Sequence, residues 1–278
     1  MRSLAGRHVL VIGLGYSARA FAAQAIAVGA KVSGTSRNPM EGVTMIALDA
    51  LPRDVTDVVV SAPPGEDGCP ALMACEAQGL RPGWIAYLSS TAVYGDCDGA
   101  WIDEDQPPAP RGADAKARLV AEDGWRAFAQ RTGAALDILR VAGIYGPGRD
   151  VRARLQSRQA RAIVKPGQVF NRIHRDDIAG ALTAAMSHPQ GQRLINLSDG
   201  SPCPASDILI GVAEMMGLPR PEEVALEDAG LPPAAAGFYA ENRRLRNDRL
   251  LALPGFSLKH PTWQHAYQAM LTTGGPGS

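Results

Sequence analysis

Short apolar runs closed by polar or turn residues recur along the first half of the chain, with amphipathic stretches between them. Arg7 to Ile12 is almost wholly apolar and breaks at Gly13-Leu14-Gly15-Tyr16-Ser17-Ala18; the alanine-rich stretch Arg19 to Val28 follows, and Ala30 to Thr35 is apolar again. This pattern predicts strand, tight turn, helix and strand. Val43 to Leu48, ending at Asp49, and Asp57 to Ser61, ending at Ala62-Pro63-Pro64-Gly65, read as strands buried on both faces. Pro70 to Gly79 predicts a helix and Trp84 to Leu88 a strand. Gly112 to Arg131 predicts a helix, with Ala117, Val120, Ala121, Trp125 and Phe128 at three- and four-residue steps, and Ala135 to Arg140 another strand. Such alternation points to an α/β fold with a doubly wound, mainly parallel sheet.

The pattern changes after Gly148. Arg149, Arg152, Arg154, Arg158, Arg161 and Lys165 crowd one stretch, read as a helix at the edge of a cleft. Ile173 to Ala179 opens a helix with Asp176 and Asp177 in its first turn, as the helix dipole favours. Helices are also predicted at Pro204–Met216, Glu241–Ala252 and Pro261–Leu271, and Leu218–Ala236 reads as a proline-rich surface loop. The division expected is a nucleotide-binding domain over 1–148 and a smaller mixed lobe over 149–278, some of whose segments can return to the main sheet. There is no internal repeat.

The glycine turn carries the sharpest chemistry. Gly13 would make the turn, Gly15 would let the backbone approach a pyrophosphate, and Leu14, Tyr16 and Ser17 would complete a loop at a helix N-terminus. Ala18 stands where only close helix–strand packing is required. At the end of the second strand, where an acidic side chain would bond the ribose of NAD, the chain reads Thr35-Ser36-Arg37-Asn38. A guanidinium with neighbouring hydroxyls suits a 2′-phosphate, which favours NADP over NAD; the plainer reading of Arg37 is a solvated residue opening a loop. Asp49, Ser61, Ala62 and Pro63 lie at strand ends, where adenine and ribose would bind, and Asp49 serves equally well as a helix N-cap. Ser89, Ser90 and Thr91 gather hydroxyls at the end of a central strand, the place for a reacting centre, although such runs also cap and turn. The basic stretch would hold a substrate phosphate or carboxylate, or form a solvated face. His174 reads more readily as a structural residue at a strand–helix junction than as a base.

Lys plus Arg and Asp plus Glu are 28 each in 278 residues. That balance gives no ground for nucleic acid or an anionic membrane as a partner. Met1 to Gly6 leads into the first strand without an apolar leader, and no run is long enough to cross a bilayer, so a soluble cytoplasmic protein is expected. Cys69, Cys75, Cys97 and Cys203 lack ligand spacing and read as reduced thiols with no metal site. The tail Thr273 to Ser278 has little to pack and is expected to be disordered.

Together these segments resemble the extended short-chain dehydrogenase/reductases, the NAD-dependent epimerase/dehydratase family. The resemblance rests on Gly13 to Ala18, Leu88 to Gly95, Leu139 to Gly148 and Ile173 to Ala179, in the family's order. It implies a Rossmann domain for NAD(P) and a C-terminal lobe that closes over a small-molecule substrate, commonly a nucleotide sugar. The family's chemistry uses a Ser or Thr, a Tyr and a Lys, the last two four apart on a helix; the phenol moves the carbonyl proton and the ammonium lowers its pKa. Ser90 matches the hydroxyl. Aligning on Ala121-Glu122 puts Arg118 at the lysine position and Asp114 at the tyrosine position; aligning on Lys116 puts Gly112 there, so neither register supplies a tyrosine. Two classes follow. One is an NADP(H)-dependent oxidoreductase or epimerase acting on a carbonyl or sugar-like molecule, with its proton carrier among Tyr94, Asp114, Cys97 and Tyr145. The other is a non-catalytic NADP(H) sensor or interaction protein. A homodimer through the Gly112–Arg131 helix, using Trp125 and Phe128, is compatible with the pattern.

Overall fold

A computed structural model describes residues 3–157 and 160–273. The first half runs β1 (His8–Ile12), α1 (Tyr16–Ala27), β2 (Lys31–Thr35), β3 (Val43–Met45), β4 (Asp57–Val60), α2 (Pro70–Ala77), β5 (Trp84–Ser90), β6 (Trp101–Ile102), α3 (Ala113–Thr132) and β7 (Ala135–Val141). Then follow β8 (Gly143–Tyr145), α4 (Arg152–Gln156), β9 (Arg161–Val164), β10 (Arg172–His174), α5 (Arg175–Ser187), β11 (Gln192–Leu197) and α6 (Ala205–Met215). The chain ends with β12 (Glu222–Ala225), α7 (Pro233–Gly237), β13 (Arg244–Leu245), α8 (Asp248–Leu251) and α9 (Trp263–Thr273).

Seven parallel strands form one sheet in the order β11-β7-β5-β4-β1-β2-β3. Alternate residues of each central strand feed opposite cores, as strand geometry dictates. Val9, Val11, Val59, Ala86 and Leu139 pack under Phe21, Ala22 and Ala25 of α1 and Ile178, Leu182 and Ala185 of α5. Leu10, Ile12, Val58, Val60, Ile85 and Ile138 pack under α2 and α3, against Cys75, Trp125 and Phe128. From β1 the chain moves outward to β2 and β3, then crosses back to β4, so strand order reverses between β1 and β4. Open α/β sheets bind ligands at this kind of switch point, outside the carboxyl ends of the strands. The Gly13 turn and the Ser61–Pro64 turn flank it.

The boundary at 148 is not where the main sheet ends: β11 pairs in parallel with β7, and α5 packs on the sheet beside α1. The separate lobe has its own core, in which Ile208, Leu209 and Val212 of α6 meet Tyr267 and Met270 of α9 and Leu155 of α4. Several expectations are corrected here. Glu241–Ala252 is not one helix, because its backbone is drawn into extended bonding with 95–102: Arg244 N donates to Ala100 O at 2.9 Å and Arg246 N to Ile102 O at 2.8 Å. The segment 218–236 includes β12, which pairs with β9, so the basic stretch is a short helix followed by a strand. The strand from Val43 stops at Met45. Trp125 and Phe128 are buried under the sheet of their own chain and offer nothing to a dimer; of the five apolar positions named on that helix, only Val120 is exposed. Arg158 and residues 274–278 of the tail lie outside the described residues.

Candidate cofactor cleft and reaction centre

The turn after β1 is built by two glycines with different reasons to be glycine. Gly13 has φ +91°, and a Cβ there would lie 2.6 Å from Ala62 N, so the fold itself demands glycine. Gly15 has an ordinary φ of −83°, and a Cβ there would meet no atom within 4 Å. Nothing in the folded chain requires its small size. Open space above an N-cap glycine is the cradle a pyrophosphate needs, with the unpaired first-turn amides of α1 as donors. Thr35 holds the turn: its Oγ accepts from Gly13 N and its carbonyl from Leu14 N, both at 2.9 Å. Leu14 fills the place a side chain at Gly34 would take. Ser61 N and Ala62 N both donate to Ile12 O, at 2.9 and 3.1 Å, folding the β4 turn onto Gly13 with Pro63 exposed beside it. Ala18 is buried, as the packing role required, and so is Ser17, whose hydroxyl finds no partner among the described residues.

Arg37 stands exposed beyond β2 with no hydrogen bond or ion pair among the described residues, and Ser36 Oγ accepts from Asn38 N at 3.1 Å. The sequence reading missed Arg19. Its guanidinium, one turn into α1, donates to Leu14 O at 3.1 Å, to Pro39 O at 3.2 Å and to Asn38 O, clamping the Arg37 loop to the glycine turn. An arginine four residues after the second glycine was the visible signal. Asp49 lies exposed in a turn, and no helix begins there, which removes the N-cap alternative.

The β5 end has spent most of its polar groups on structure. Ser89 does not face a ligand: its Oγ is buried and donates to Glu122 Oε1 at 2.6 Å. Glu122 also accepts from Arg140 Nε at 3.0 Å and Nη2 at 2.8 Å, a buried fork–fork pair. Tyr94 is a second correction. It is fully enclosed, donates to Asn196 Oδ1 at 2.7 Å and lies 4.5 Å under the Arg140 guanidinium, and burial raises its pKa. It has no surface to offer a substrate. Tyr145 is also buried, stacked on Tyr267 at 6.2 Å, and its burial pushes the phenol far above its usual range. Cys97 is half-buried, and burial raises its thiol.

Besides the Cys97 thiol, Ser90, Arg118 and Asp114 keep accessible polar groups at the candidate reaction end. Ser90 is half-buried and caps the 3₁₀ turn Thr91–Tyr94 by accepting from Ala92 N at 3.2 Å, which leaves its proton free. Arg118 donates to Leu88 O at 3.2 Å, which holds its guanidinium at the same strand end. Asp114 is exposed in the first turn of α3, four residues from Arg118 and therefore on the same helix face. Across the cleft, Asn242 ties the second lobe down: Cys97 N and Gly99 N both donate to its carbonyl at 3.0 Å, and its own N–H to Asp96 Oδ1 at 2.8 Å.

The basic stretch does not form one anion site. Arg152 forks Asp150, Arg161 donates to Ala229 O at 2.9 Å, and Lys165 to Tyr239 O at 2.6 Å. Arg149 and Arg154 remain exposed. His174 caps α5, accepting from Asp176 N at 3.2 Å, and its ring lies tilted by 47° against that of His260 with the centres 3.9 Å apart. Burial first, and then His260, hold its pKa down at about 4. Asp177 places His260 by accepting from Lys259 N at 2.6 Å and His260 N at 3.2 Å. His174, Asp176 and His260 bring potential ligand atoms within 4.8 Å of one another. A cation there would displace the cap bond and sit beside Arg175 at a positive helix end, which opposes metal binding.

Residues 69–198 match the model of the NAD dependent epimerase/dehydratase family. A conserved protein of Silicibacter pomeroyi, whose function is unknown, is 39% identical over 96% of this chain and 99% of its own, with a TM-score of 0.88. Protein YeeZ of Escherichia coli K12 is 27% identical, over 92% of this chain and 97% of that protein. The human epimerase family protein SDR39U1, solved with NADPH, shares the fold at a TM-score of 0.77 and 18% identity, over 94% of this chain and 98% of its own. No helix among the described residues is long and apolar enough to cross a membrane. With its parallel sheet, its glycine turn at the switch point and the matched span from α2 to β11, this chain belongs to the NAD dependent epimerase/dehydratase family.

Proposed function

We propose that the protein binds NADP(H) across the β1–β4 switch point and uses it to oxidise or reduce a carbonyl or sugar-like small molecule held under the second lobe. Gly15 carries the cofactor half: a glycine that the fold does not need, at the mouth of amides that a diphosphate does need. Arg37, free and exposed at the end of β2, supports NADP(H) over NAD(H). The cofactor, when bound, supplies or accepts a hydride. The chain's own part is to hold the substrate oxygen and manage its proton. Ser90 offers a hydroxyl donor, Arg118 a fixed positive charge, and Asp114 a carboxylate that takes the proton when an alcohol is oxidised. Carboxylates as a class are weaker bases than tyrosinates, so slow turnover is expected. NADPH fluorescence titration of the wild type and Gly15→Val tests the cofactor half. NADPH oxidation over a panel of aldehydes, ketones and nucleotide sugars, repeated with Asp114→Asn, tests the chemistry.

The burial of Tyr94 and Tyr145 favours a second reading, an NADP(H)-binding sensor or interaction protein without turnover. Tight NADPH binding together with zero oxidation over the whole panel would select it.

A further inference from the structure

Two arginines face the Tyr16 ring beside the glycine turn with most of their N–H groups unused among the described residues. The Arg149 guanidinium is exposed, makes no hydrogen bond or ion pair among the described residues, and stands 5.9 Å from the Tyr16 ring centre. The Arg175 guanidinium is 4.9 Å from the same ring; its Nε donates to Asp176 Oδ1 at 3.2 Å, and its terminal nitrogens have no partner among the described residues. Tyr16 is the first residue of α1, so both guanidiniums flank a side chain that springs from the helix end with free amides.

The loop that carries Arg149 is fixed there. Tyr16 Oη donates to Pro147 O at 2.9 Å, and Gly146 and Arg149 exchange backbone bonds of 3.3 and 2.9 Å. A Cβ on Gly146 would fall 2.8 Å from Tyr16 Oη and 3.0 Å from His174 Nε2, so the loop lies as close to α1 and α5 as glycine permits. Asp176 engages one edge of Arg175 and the Tyr16 ring faces both guanidiniums, which leaves the terminal nitrogens of Arg175 and the whole fork of Arg149 to meet an anion.

We propose that Arg149 and Arg175 bind the diphosphate of NADP(H), adding uncommitted guanidinium donors to the amides of the glycine turn. This rests on the cofactor reading above and assigns its diphosphate end, as Arg37 serves the 2′-phosphate end. The recognition is charge-assisted and favours guanidinium over ammonium.

The test compares NADPH affinity at fixed ionic strength for wild type, Arg149→Gln, Arg175→Gln and the double variant, with thermal melting as a check of the fold. Each single change is expected to weaken NADPH about tenfold and the double about a hundredfold, while Arg149→Lys, which keeps the charge and loses the fork, falls between Arg149→Gln and wild type. Adenosine 2′-phosphate, which has no diphosphate, should bind all variants alike. A double variant that melts normally and binds NADPH within about threefold of wild type would overturn the assignment, as would an equal loss of adenosine 2′-phosphate. Failure of the wild type to bind NADPH at all would remove the cofactor reading itself, an outcome distinct from wild-type binding that the variants leave unchanged.

Discussion

The two ends of the cleft differ in how their polar groups are employed. At the glycine turn the space above Gly15 is open, Arg37 and the first-turn amides of α1 are uncommitted among the described residues, and the bonds made by Thr35 and Arg19 hold the loop open and in place. At the end of β5 the hydroxyl of Ser89 and the phenol of Tyr94 are consumed by Glu122, Arg140 and Asn196. A site kept ready for a ligand leaves donors unsatisfied. A region turned into framework satisfies them internally. On that criterion the proposed cofactor end keeps donors free for a ligand, and at the proposed chemical end Ser90, Asp114 and Arg118 keep accessible polar groups.

Breaking the framework should have the largest effect. Glu122→Gln leaves the Arg140 guanidinium buried without its counter-charge, and should cost about 3–5 kcal/mol, read as a lowered urea midpoint. A smaller loss measured there would mean that water reaches the pair. Gly13→Ala should cost about 2 kcal/mol or more, because it forces a side chain to positive φ against Ala62 N. Gly15→Val, by contrast, should melt as the wild type does and lose NADPH affinity by about a hundredfold or more. That pair of glycine variants separates fold from ligand within one turn. Arg37→Asp should weaken NADPH by about tenfold or more and change NADH little, as affinities from titration would show; an unaltered ratio would take Arg37 out of the site.

The smallest expected effect concerns pH. Burial holds His174 at about 4 in the folded protein against 6.5 in the unfolded chain, so its contribution to stability is full above pH 6.5 and is lost as pH falls towards 4. Burial pushes Asp199 up to about 7 from 3.8, so its contribution is full below pH 3.8 and is lost as pH rises through 7. The two slopes oppose each other between pH 4 and 6.5. Asp199→Asn should remove one of them, so that the melting temperature climbs more steeply with pH in that window than in wild type. Parallel melting curves would show that Asp199 carries no such shift.

The sequence made the sheet and the cofactor turn readable because both are written locally: apolar runs of strand length, glycines one residue apart, and helices with a clear apolar face. It could not show that Ser89 turns inward, since that depends on Glu122 and Arg140, far along the chain and brought together only when β5, α3 and β7 assemble. Glu241–Ala252 failed as a helix for the same reason: its bonding partners lie in 95–102. The pairing of His174 with His260 likewise waits on Asp177, which holds the backbone at 259–260. Tyr94 shows the limit most plainly, since a tyrosine at a strand end carries the same letters whether it faces a substrate or an asparagine.

The most direct test is calorimetric titration of the wild-type protein with NADPH and with NADH, alongside Gly15→Val. NADPH should bind tightly and NADH weakly, and neither should bind the variant, whose melting temperature is unchanged. Absence of binding by either nucleotide to the wild type, or full binding by Gly15→Val, would contradict the cofactor reading.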